Sequence, residues 1–407
     1  MIQPHPAAVP SNPSDPSSVI NRSNPSTLAG WANPSFVVVP AALAEGLDRD
    51  TTRRFCFRVS PPWRSPVLRN PHAEEAERRV IAWLEALGCT PSEVERARQF
   101  DIAGYVGIPF PTLPREQTAH LARYLSLWLL WDDFEVETLL DRWRFEVDDV
   151  LSGCRPEAMS RFEEGFWQLL TAMAEARSPR WMEDLCGAMT AWSAAAVEEA
   201  LATRAYRERR VLPSFERHLE MRVATIGMPA TALLLEHADG AELPREFHAH
   251  PAVRRLEWLA SAIVGLGNEI LSLGKDLAAD QYNLVTTLMA ERALDVDQAV
   301  EALVRMHDDA LVEFDAVADA LSGPEGELTP TLERWLDDMR YASVGFSLWA
   351  SQAPRYTAHR VVARDVVIEP RFSFFPPPRP ADPPSSPWSW RGLPPTSNIT
   401  SFVPSSE

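Results

Sequence analysis

The chain has 407 residues and is 45% hydrophobic, which is enough for one large domain or two ordinary ones with a sizeable core. Its formal net charge of −18 argues against a general affinity for nucleic acid or anionic membranes, because both require a basic surface. The four cysteines form no CxxC pair, and neither a signal peptide nor an apolar span of about 18 residues is apparent. We therefore expect a cytoplasmic protein whose partners are small molecules or other proteins.

The two ends of the chain differ in composition from the middle. Residues 1–50 are rich in Pro, Ser and Asn, and residues 373–407 in Pro, so neither end can bury enough apolar surface to offset the entropy of ordering. We predict disordered tails there and one folded domain over residues 51–372. A Pro-rich piece such as residues 375–380 could dock on an aromatic groove as a polyproline helix, and a solvated tail is the alternative.

Between these tails, apolar residues recur at helical rather than alternating spacing. The first helix opens with Pro71 and has acidic residues in its first turn, and Gly88 ends it. Short pieces near residues 36–39 and 364–368 are the exceptions to helical spacing. We predict an all-α fold, a bundle of long helices, over residues 71–87, 116–142, 157–176, 179–204, 214–237, 252–275, 280–293, 296–321 and 329–353.

Four carboxylates crowd into six positions after an apolar helical run: Asp132, Asp133, Glu135 and Glu137. Like charges this close repel unless they are solvated or neutralised, and Mg²⁺ binds one or two carboxylates together with substrate phosphates. On an α-helix, Glu135 would point about 60° and Glu137 about 140° away from Asp132. Asp132 is therefore the first candidate for a metal ligand, with Asp133 in support, and the two glutamates need not share its coordination shell.

A second polar set lies on a later helix. Asn268, Ser272 and Asp276 are spaced i, i+4 and i+8, which places them on one helical face. Their amide, hydroxyl and carboxylate oxygens are ligands that suit a hard cation. Lys275 is the only lysine, since the other 38 basic residues are arginines, which suggests a compact charge directed at a phosphate. The alternative is a polar stripe on a solvated helix face.

Two cations lie at places where helices are interrupted. Arg222 lies 46 positions before Asn268, and the helical pattern that contains it breaks over residues 225–229, Thr-Ile-Gly-Met-Pro. A later helix is ended by a proline, and Arg355 and Tyr356 follow at once. These residues favour a phosphate-binding interpretation over a solvated stripe.

Over roughly residues 60–360, the motifs together resemble those of a class I terpene synthase (terpene cyclase) of the bacterial type. The aspartate-rich DDxxxE motif of that family matches Asp132, Asp133 and Glu137. The triad of that family, an Asn, a Ser or Thr, and a Glu or Asp, matches Asn268, Ser272 and Asp276.

The resemblance extends to the residues that contact the diphosphate in this family. Arg222 matches the pyrophosphate sensor of the family, and Thr225 with the Ile226-Gly227 peptide matches the linker and effector positions of the helix break. Lys275 matches the basic position, and Arg355 and Tyr356 match the C-terminal Arg-Tyr pair. Two positions depart from the usual pattern: Asp276 is shorter than the common Glu, and Glu269 replaces the common second Asp. Both departures bear on metal affinity and pH dependence.

The resemblance implies a single-domain helical bundle over residues 51–372, a monomer or homodimer, with a central active-site cavity. Three Mg²⁺ ions on the two metal-binding motifs would bind the diphosphate of an isoprenyl substrate, and four side chains would donate to it: Arg222, Lys275, Arg355 and Tyr356. The C–O bond of the allylic diphosphate would break, and the cation would cyclise in the closed cavity. Farnesyl diphosphate is the expected substrate and a sesquiterpene hydrocarbon or alcohol the expected product. Geranyl, methylated geranyl and geranylgeranyl diphosphates stay open.

Two tryptophans are candidates for the wall of such a cavity. Trp128 lies one turn before Asp132, and Trp349 lies just before the Arg-Tyr pair. Aromatic faces stabilise cations, although ordinary core packing is the alternative for each tryptophan.

Two other classes of protein remain open from the sequence. A chain-elongating isoprenyl diphosphate synthase is also helical and Mg²⁺-dependent, but that family carries two DDxxD motifs, whereas the second set here is Asn-Ser-Asp. A non-enzymatic helical scaffold with Pro-rich interaction tails would leave Arg222, the single lysine and the Arg-Tyr pair without explanation.

Overall fold

The structure is a computed structural model, which describes residues 36–38, 52–58, 69–136, 146–240, 242–322, 330–357, 361–362 and 366–373. The two predicted tails therefore lie almost entirely outside the described residues. Glu137, the last member of the aspartate-rich motif, also lies outside them.

Helices dominate the described chain, so the predicted all-α fold class is confirmed. In chain order the helices are α1 (Ala73–Ala86), α2 (Pro91–Gln99), α3 (Ile102–Gly107), α4 (Arg115–Trp131), α5 (Val147–Ser152), α6 (Arg161–Ala174), α7 (Pro179–Arg209), α8 (Phe215–Thr225), α9 (Met228–Asp239), α10 (Arg245–Ala249), α11 (Pro251–Ala278), α12 (Leu284–Arg292), α13 (Val296–Ser322), α14 (Pro330–Ala350) and α15 (Pro354–Thr357).

Several helices begin at local sequence signals. α2 and α6 each start with a capping box, formed by Thr90 with Glu93 and by Ser160 with Glu163. In each box, the two side chains satisfy backbone N–H groups that the first helical turn leaves without partners. At the start of α7, the hydroxyl of Ser178 accepts a backbone N–H of the first turn, and a proline follows in that turn.

Short strands connect parts of the chain that are distant in sequence. β1 (Phe36–Val38) pairs antiparallel with β3 (Val211–Pro213). β2 (Thr52–Arg58) pairs in parallel with β5 (Val366–Ser373), and β4 (Val361–Val362) lies antiparallel on the other side of β5.

Helix α11 lies at the centre of the bundle. It packs most extensively against α13 and α14, and it also contacts α8, α9 and α12. Among the described helices, α11 is long and apolar enough to cross a membrane, but 78% of its most apolar window is buried inside the fold. We interpret α11 as the core helix of the bundle rather than as a membrane span.

One of the predicted helices needs correction. Over residues 116–142 the α-helix α4 ends at Trp131, because Asp132–Val136 form a π-helical turn, and residues 137–142 lie outside the described residues. A π turn closes i→i+5 rather than i→i+4 hydrogen bonds, so the α-helical angles assigned to Glu135 do not apply. The break predicted over residues 225–229 is confirmed: Gly227, with a left-handed φ of 75°, divides the helix predicted over 214–237 into α8 and α9.

Some elements of the structure are absent from the sequence prediction. α2, α3, α5 and α10 have five to nine residues each by their bounds, too few for helical periodicity to stand out. Strands β2 and β3 are missed as well, whereas the exceptions near residues 36–39 and 364–368 overlap β1 and β5.

Candidate active site

A cavity of about 370 Å³ lies between α4, α7, α11 and α14, next to the π-helical turn and the α8–α9 break. Two groups of side chains line it. We call the first the polar cluster: Asp132, Asp133, Arg222, Asn268, Lys275, Asp276, Arg355 and Tyr356. We call the second the aromatic cluster: Tyr105, Trp128, Trp192, Phe346 and Trp349. Thr225 and Ile226 also line the cavity, whereas Gly227 and Ser272 do not.

The π-helical turn presents Asp132 and Asp133 to the cavity. Asp133 forms ion pairs with two arginines, with Arg355 Nη2 at 2.6 Å from Oδ1 and Arg96 Nε at 2.7 Å from Oδ2. Burial favours the protonated acid, but Arg355 and then Arg96 hold the pKa of Asp133 below its ordinary value. Burial and then the charge of Asp133 raise the pKa of Asp132 to about 6. The two neighbouring carboxylates therefore have different electrostatic surroundings.

Helix α11 carries the Asn-Ser-Asp set on the opposite wall. Asn268 and Asp276 line the cavity, but Ser272 is 1% exposed and donates its hydroxyl hydrogen to Asp276. Lys275 Nζ lies 2.8 Å from the other oxygen of Asp276. Burial opposes ionisation of Asp276, but Lys275 and the hydrogen bonds lower its pKa. In this structure, Ser272 thus contacts its neighbouring ligand candidate rather than the cavity.

Asn283, which is not among the predicted site residues, supports this wall from the start of α12. Its Nδ2 donates to Asp276 Oδ2 at 2.8 Å and to the carbonyl of Glu269 at 2.8 Å. The same side chain caps α12 by accepting the N–H of Val285. A helix cap therefore also orients a carboxylate of the polar cluster. Because Asn is a common cap residue, only the tertiary contact could have shown this second role.

Arg222 is held on all sides by acceptors. Its Nη2 donates to Asn268 Oδ1 at 2.7 Å, its Nη1 to Glu199 at 3.2 Å and to Thr225 at 3.1 Å, and its Nε lies 2.7 Å from Glu269. Burial raises the pKa of Glu269 to about 7 although Arg222 opposes this shift. Glu199, on α7, carries no motif that sequence reasoning could have recognised.

The helix break after Arg222 is fixed by two tryptophans. The indole N–H of Trp192 donates to the carbonyl of Thr225 at 3.0 Å. A Cβ at Gly227 would lie 1.5 Å from the Trp128 ring, so only glycine allows this ring to pack against the break. The ring centroids of Trp128 and Trp192 are 3.9 Å apart. The break and one part of the aromatic cluster therefore form a single packed unit.

The C-terminal Arg-Tyr pair joins both clusters. Tyr356 accepts the amide N–H of Asn268 at 3.1 Å, while its ring lies edge-on to Trp349. Trp349 in turn stacks on Tyr105 with ring centroids 4.1 Å apart and donates to the carbonyl of Phe100 at 2.8 Å. Both tryptophans predicted as wall residues thus line the cavity and are also packed in the core.

The donor set fits a hard divalent cation. Among the described residues, no three His, Cys, Asp or Glu side chains converge on one point, so the oxygens do not form a closed site of protein ligands. They face the cavity from two walls instead, with Asp132 and Asp133 on one and Asn268 and Asp276 on the other. Such an open arrangement suits Mg²⁺, which takes one or two carboxylates and shares its remaining positions with water and substrate phosphates.

Two acids of the aspartate-rich segment remain to be placed. Glu135 accepts a hydrogen bond from Ser160 at 3.0 Å at the start of α6 and does not line the cavity. Glu137 lies outside the described residues. Arg96 is a further residue that sequence reasoning misses, because its helix is short and its contact with Asp133 spans 37 positions.

Comparison with known proteins supports the predicted class. A family model described as "Terpene synthase family 2, C-terminal metal binding" matches residues 124–313. Bonnadiene synthase from Allokutzneria albata is 26% identical over a 339-residue alignment that covers 78% of this chain and 90% of that protein. A Streptosporangium roseum protein named 4-epi-cubebol synthase, (2E,6E)-farnesyl diphosphate cyclizing, is 26% identical over 75% of this chain and 95% of its own length.

The solved structures agree on the fold. The crystal structure of linalool/nerolidol synthase from Streptomyces clavuligerus in complex with 2-fluorogeranyl diphosphate matches with a TM-score of 0.60 at 20% identity, covering 70% of this chain and 96% of that one. The comparisons therefore confirm the resemblance to bacterial-type class I terpene synthases that the motifs predict. They support the predicted function of a terpene cyclase, a lyase that acts on a small isoprenyl diphosphate and binds a divalent metal.

Proposed function

We propose that this cyclase binds farnesyl diphosphate with three Mg²⁺ ions, ionises it and cyclises the cation to a sesquiterpene hydrocarbon or alcohol. The observation that carries the proposal is one cavity in which the oxygen donors and cations of the polar cluster adjoin the aromatic cluster. The choice of a C15 substrate is supported by relatives whose names describe them as (2E,6E)-farnesyl diphosphate cyclizing.

The metal ions would be held by Asp132 and Asp133 on one wall and by Asn268, Ser272 and Asp276 on the other, with Glu137 as a further candidate. Mg²⁺ bound there would neutralise charge that develops on the diphosphate as the C–O bond breaks. Because Ser272 donates to Asp276, its ligand role requires that its hydroxyl turn toward the cavity.

Four side chains would bind the diphosphate directly: Arg222, Lys275, Arg355 and Tyr356. Both guanidinium groups already lie beside carboxylates, Arg222 at Glu269 and Arg355 at Asp133. A diphosphate would therefore compete with those acids for the same N–H donors, and Arg–phosphate contacts are strong enough to do so. A movement of the Thr225–Gly227 break when the diphosphate binds Arg222 would also move the aromatic cluster, because Trp192 donates a hydrogen bond to the Thr225 carbonyl.

The aromatic cluster would shape and protect the carbocation. Ring faces of Trp128 and Trp349 offer quadrupole attraction to positive charge without a lone pair that could bond to it. The same packing keeps bulk water away from a cation that water would otherwise capture at once.

Product analysis tests the proposal. The protein is incubated with Mg²⁺ and separately with C10, C15 and C20 isoprenyl diphosphates, and volatile products and released diphosphate are quantified. A cyclic C15 product formed with diphosphate release is expected. A cyclic C10, methylated C10-derived or C20 product instead would move the substrate assignment, and a longer linear diphosphate would favour the chain-elongating alternative.

We further propose that residues 51–372 form the catalytic domain of a cytoplasmic monomer or homodimer, with no nucleic-acid or membrane partner. The tails over residues 1–50 and 373–407 would be dispensable for turnover. Sedimentation of the full chain measures the oligomeric state. Product assays on a chain limited to residues 51–372 measure whether the tails are needed for turnover.

A further inference from the structure

Two residues that line the cavity, Ser347 and Tyr282, have a hydroxyl without a hydrogen-bond partner among the described residues, and Ser347 is the one on the wall formed by α14. Ser347 lines the cavity and is only 3% exposed, yet its Oγ neither donates nor accepts. Ser343, one turn earlier on α14 and also buried, donates to the carbonyl of Met339 at 2.7 Å. A serine on a helix can satisfy itself by this backbone contact, and Ser347 does not use it.

The fold keeps space for this hydroxyl. Across from Ser347, α11 carries Gly267, and a Cβ at that position would lie 2.3 Å from Ser347 Oγ. Any other residue there would displace the hydroxyl or the helix. Gly267 immediately precedes Asn268, and Ser347 lies two residues before Trp349, so Ser347 lies between a residue of the polar cluster and one of the aromatic cluster. Because its Oγ is turned toward Gly267, a contact with a molecule in the cavity requires rotation about its Cα–Cβ bond.

A hydrocarbon chain cannot satisfy such a group. A buried hydroxyl without a partner costs free energy, and the cost is recovered when a water molecule or another hydroxyl binds to it. The prenyl part of an isoprenyl diphosphate carries no hydrogen-bonding atom, so substrate binding alone leaves Ser347 unpartnered. A water molecule, or the hydroxyl of a product, can provide the missing partner.

We propose that Ser347 binds the water molecule that captures the final carbocation, so that the main product of this enzyme is an alcohol. This inference rests on the cyclase function proposed above. The water oxygen donates a lone pair to the cationic carbon and forms the new C–O bond, while one of its O–H bonds breaks. The proton passes to the diphosphate released in the ionisation step, so no further reactant is needed.

Ser347 acts here by orientation. A serine hydroxyl is far too weak an acid or base to change protonation state at neutral pH, but it can accept one hydrogen bond and donate another. A single water held in this way is positioned against one carbon of the cyclised cation, whereas bulk water would attack the first allylic cation.

Isotope labelling tests the proposal. The wild-type enzyme is incubated with Mg²⁺ and the isoprenyl diphosphate that it turns over, in water enriched in ¹⁸O. We expect an alcohol carrying the label as the main product. In Ser347→Ala, the alcohol-to-hydrocarbon ratio should fall about tenfold, while the rate of diphosphate release stays within about threefold of wild type.

Matched variants separate the hydroxyl from general disturbance of the helix. Ser343→Ala removes a buried hydroxyl from the same helix and should leave the product ratio unchanged. Ser347→Thr and Ser347→Val add nearly the same volume and differ in the hydroxyl, so the threonine variant should retain more alcohol than the valine variant.

The outcomes distinguish failure of the water site from failure of the cyclase function. Unlabelled hydrocarbon as the main wild-type product, formed with normal diphosphate release, would overturn the water site and leave the cyclase assignment intact. Equal alcohol fractions in wild type, Ser347→Ala and Ser347→Val would overturn it as well. Absence of diphosphate release from every isoprenyl diphosphate would overturn both the water site and the proposed function.

Discussion

The polar and aromatic clusters share one cavity but are built by different physical rules. In the polar cluster, each ionised group has specific partners, as Asp133 has Arg355 and Arg96. Removing one partner leaves a buried charge uncompensated, which costs much more than the pair itself contributes. In the aromatic cluster, rings such as Trp128 and Trp192 contact several neighbours without direction as strict as a hydrogen bond. Substitutions in the first cluster should therefore stop turnover, and those in the second should redirect it.

The largest effect is expected at Arg222. Arg222→Ala removes the cation that Glu199, Glu269 and Asn268 surround, together with a proposed donor to the leaving diphosphate. Loss of one such donor typically lowers turnover by about 10²–10³-fold. Diphosphate release measures the loss, and far-UV circular dichroism checks that helical content is retained.

Arg222→Lys serves as the control, because it keeps the charge but not the planar fork, and should lie between wild type and Arg222→Ala. Turnover of Arg222→Ala close to the wild-type rate would contradict the assignment of this residue.

The two arginines on Asp133 should differ in effect. Arg355→Ala loses an ion pair and a proposed diphosphate donor, whereas Arg96→Ala loses an ion pair and a hydrogen bond to Gln99 at a side chain that is 36% exposed. Hydrogen bonds to charged groups correspond to about a tenfold to hundredfold change, so we expect kcat/KM to fall about 100-fold for Arg355→Ala and about tenfold or less for Arg96→Ala. The reverse order in a steady-state assay would mean that Asp133 is held mainly by Arg96.

Asn283 offers a sharper test of the α11 wall. Asn283→Ser keeps a cap residue for α12 but removes the amide that donates to Asp276 and to the Glu269 carbonyl, so α12 stays capped while two buried acceptors lose a donor. Loss of a group that orients a metal ligand typically weakens metal binding by about 10–100-fold, and the Mg²⁺ concentration for half-maximal turnover should rise accordingly. An unchanged Mg²⁺ requirement with unchanged turnover would remove Asp276 from the set of metal ligands.

In the aromatic cluster, Trp349→Phe keeps a ring beside Tyr105 and Tyr356 but loses the indole contact to the Phe100 carbonyl. We expect diphosphate release within about threefold of wild type and a changed product mixture, because a ring-for-ring change preserves most cation attraction and alters the contour. Gas chromatography of the products decides the point. An unchanged mixture would mean that Trp349 is a packing residue only.

The smallest effect is expected outside both clusters. His248 Nε2 lies 2.7 Å from the buried carboxylate of Glu236, and this ion pair, with help from Glu257 and against the effect of burial, raises the pKa of His248 to about 9. Protonated His248 therefore stabilises the fold fully below its ordinary pKa, and the contribution is lost as pH rises through about 9. His248→Gln should lower Tm by about 2 °C at pH 6, and the difference should disappear above pH 9. A constant difference at every pH would contradict this origin.

The sequence predicts those parts of the molecule that depend on helical period and local breaks. Residue spacing alone predicts the long helices, the break at Gly227 and the common face of Asn268 and Asp276. The π-helical turn at Asp132 could not be predicted, because a π and an α turn share one apolar pattern and tertiary packing selects between them.

The supporting contacts of the candidate site are also beyond sequence reasoning. Arg96, Glu199 and Asn283 lie on elements without a motif, and each reaches the site through a contact made only in the folded chain. Ser272 shows that spacing can also include a residue that does not face the cavity. Its spacing places it with the metal-ligand candidates, but its hydroxyl donates to Asp276 in the structure. Spacing defines a helical face, but it does not define the rotamer of each side chain on it.

The central position of α11 has a consequence for folding during synthesis. This helix is apolar enough to resemble a membrane segment, and the helices that bury it most, α13 and α14, follow it in the chain. The ribosome must add 72 residues after Ala278, since 350 − 278 = 72, before α14 is complete. Until then the nascent chain exposes a long apolar surface that invites aggregation or chaperone binding. Because Arg355 and Tyr356 emerge later still, a truncated chain cannot complete the site.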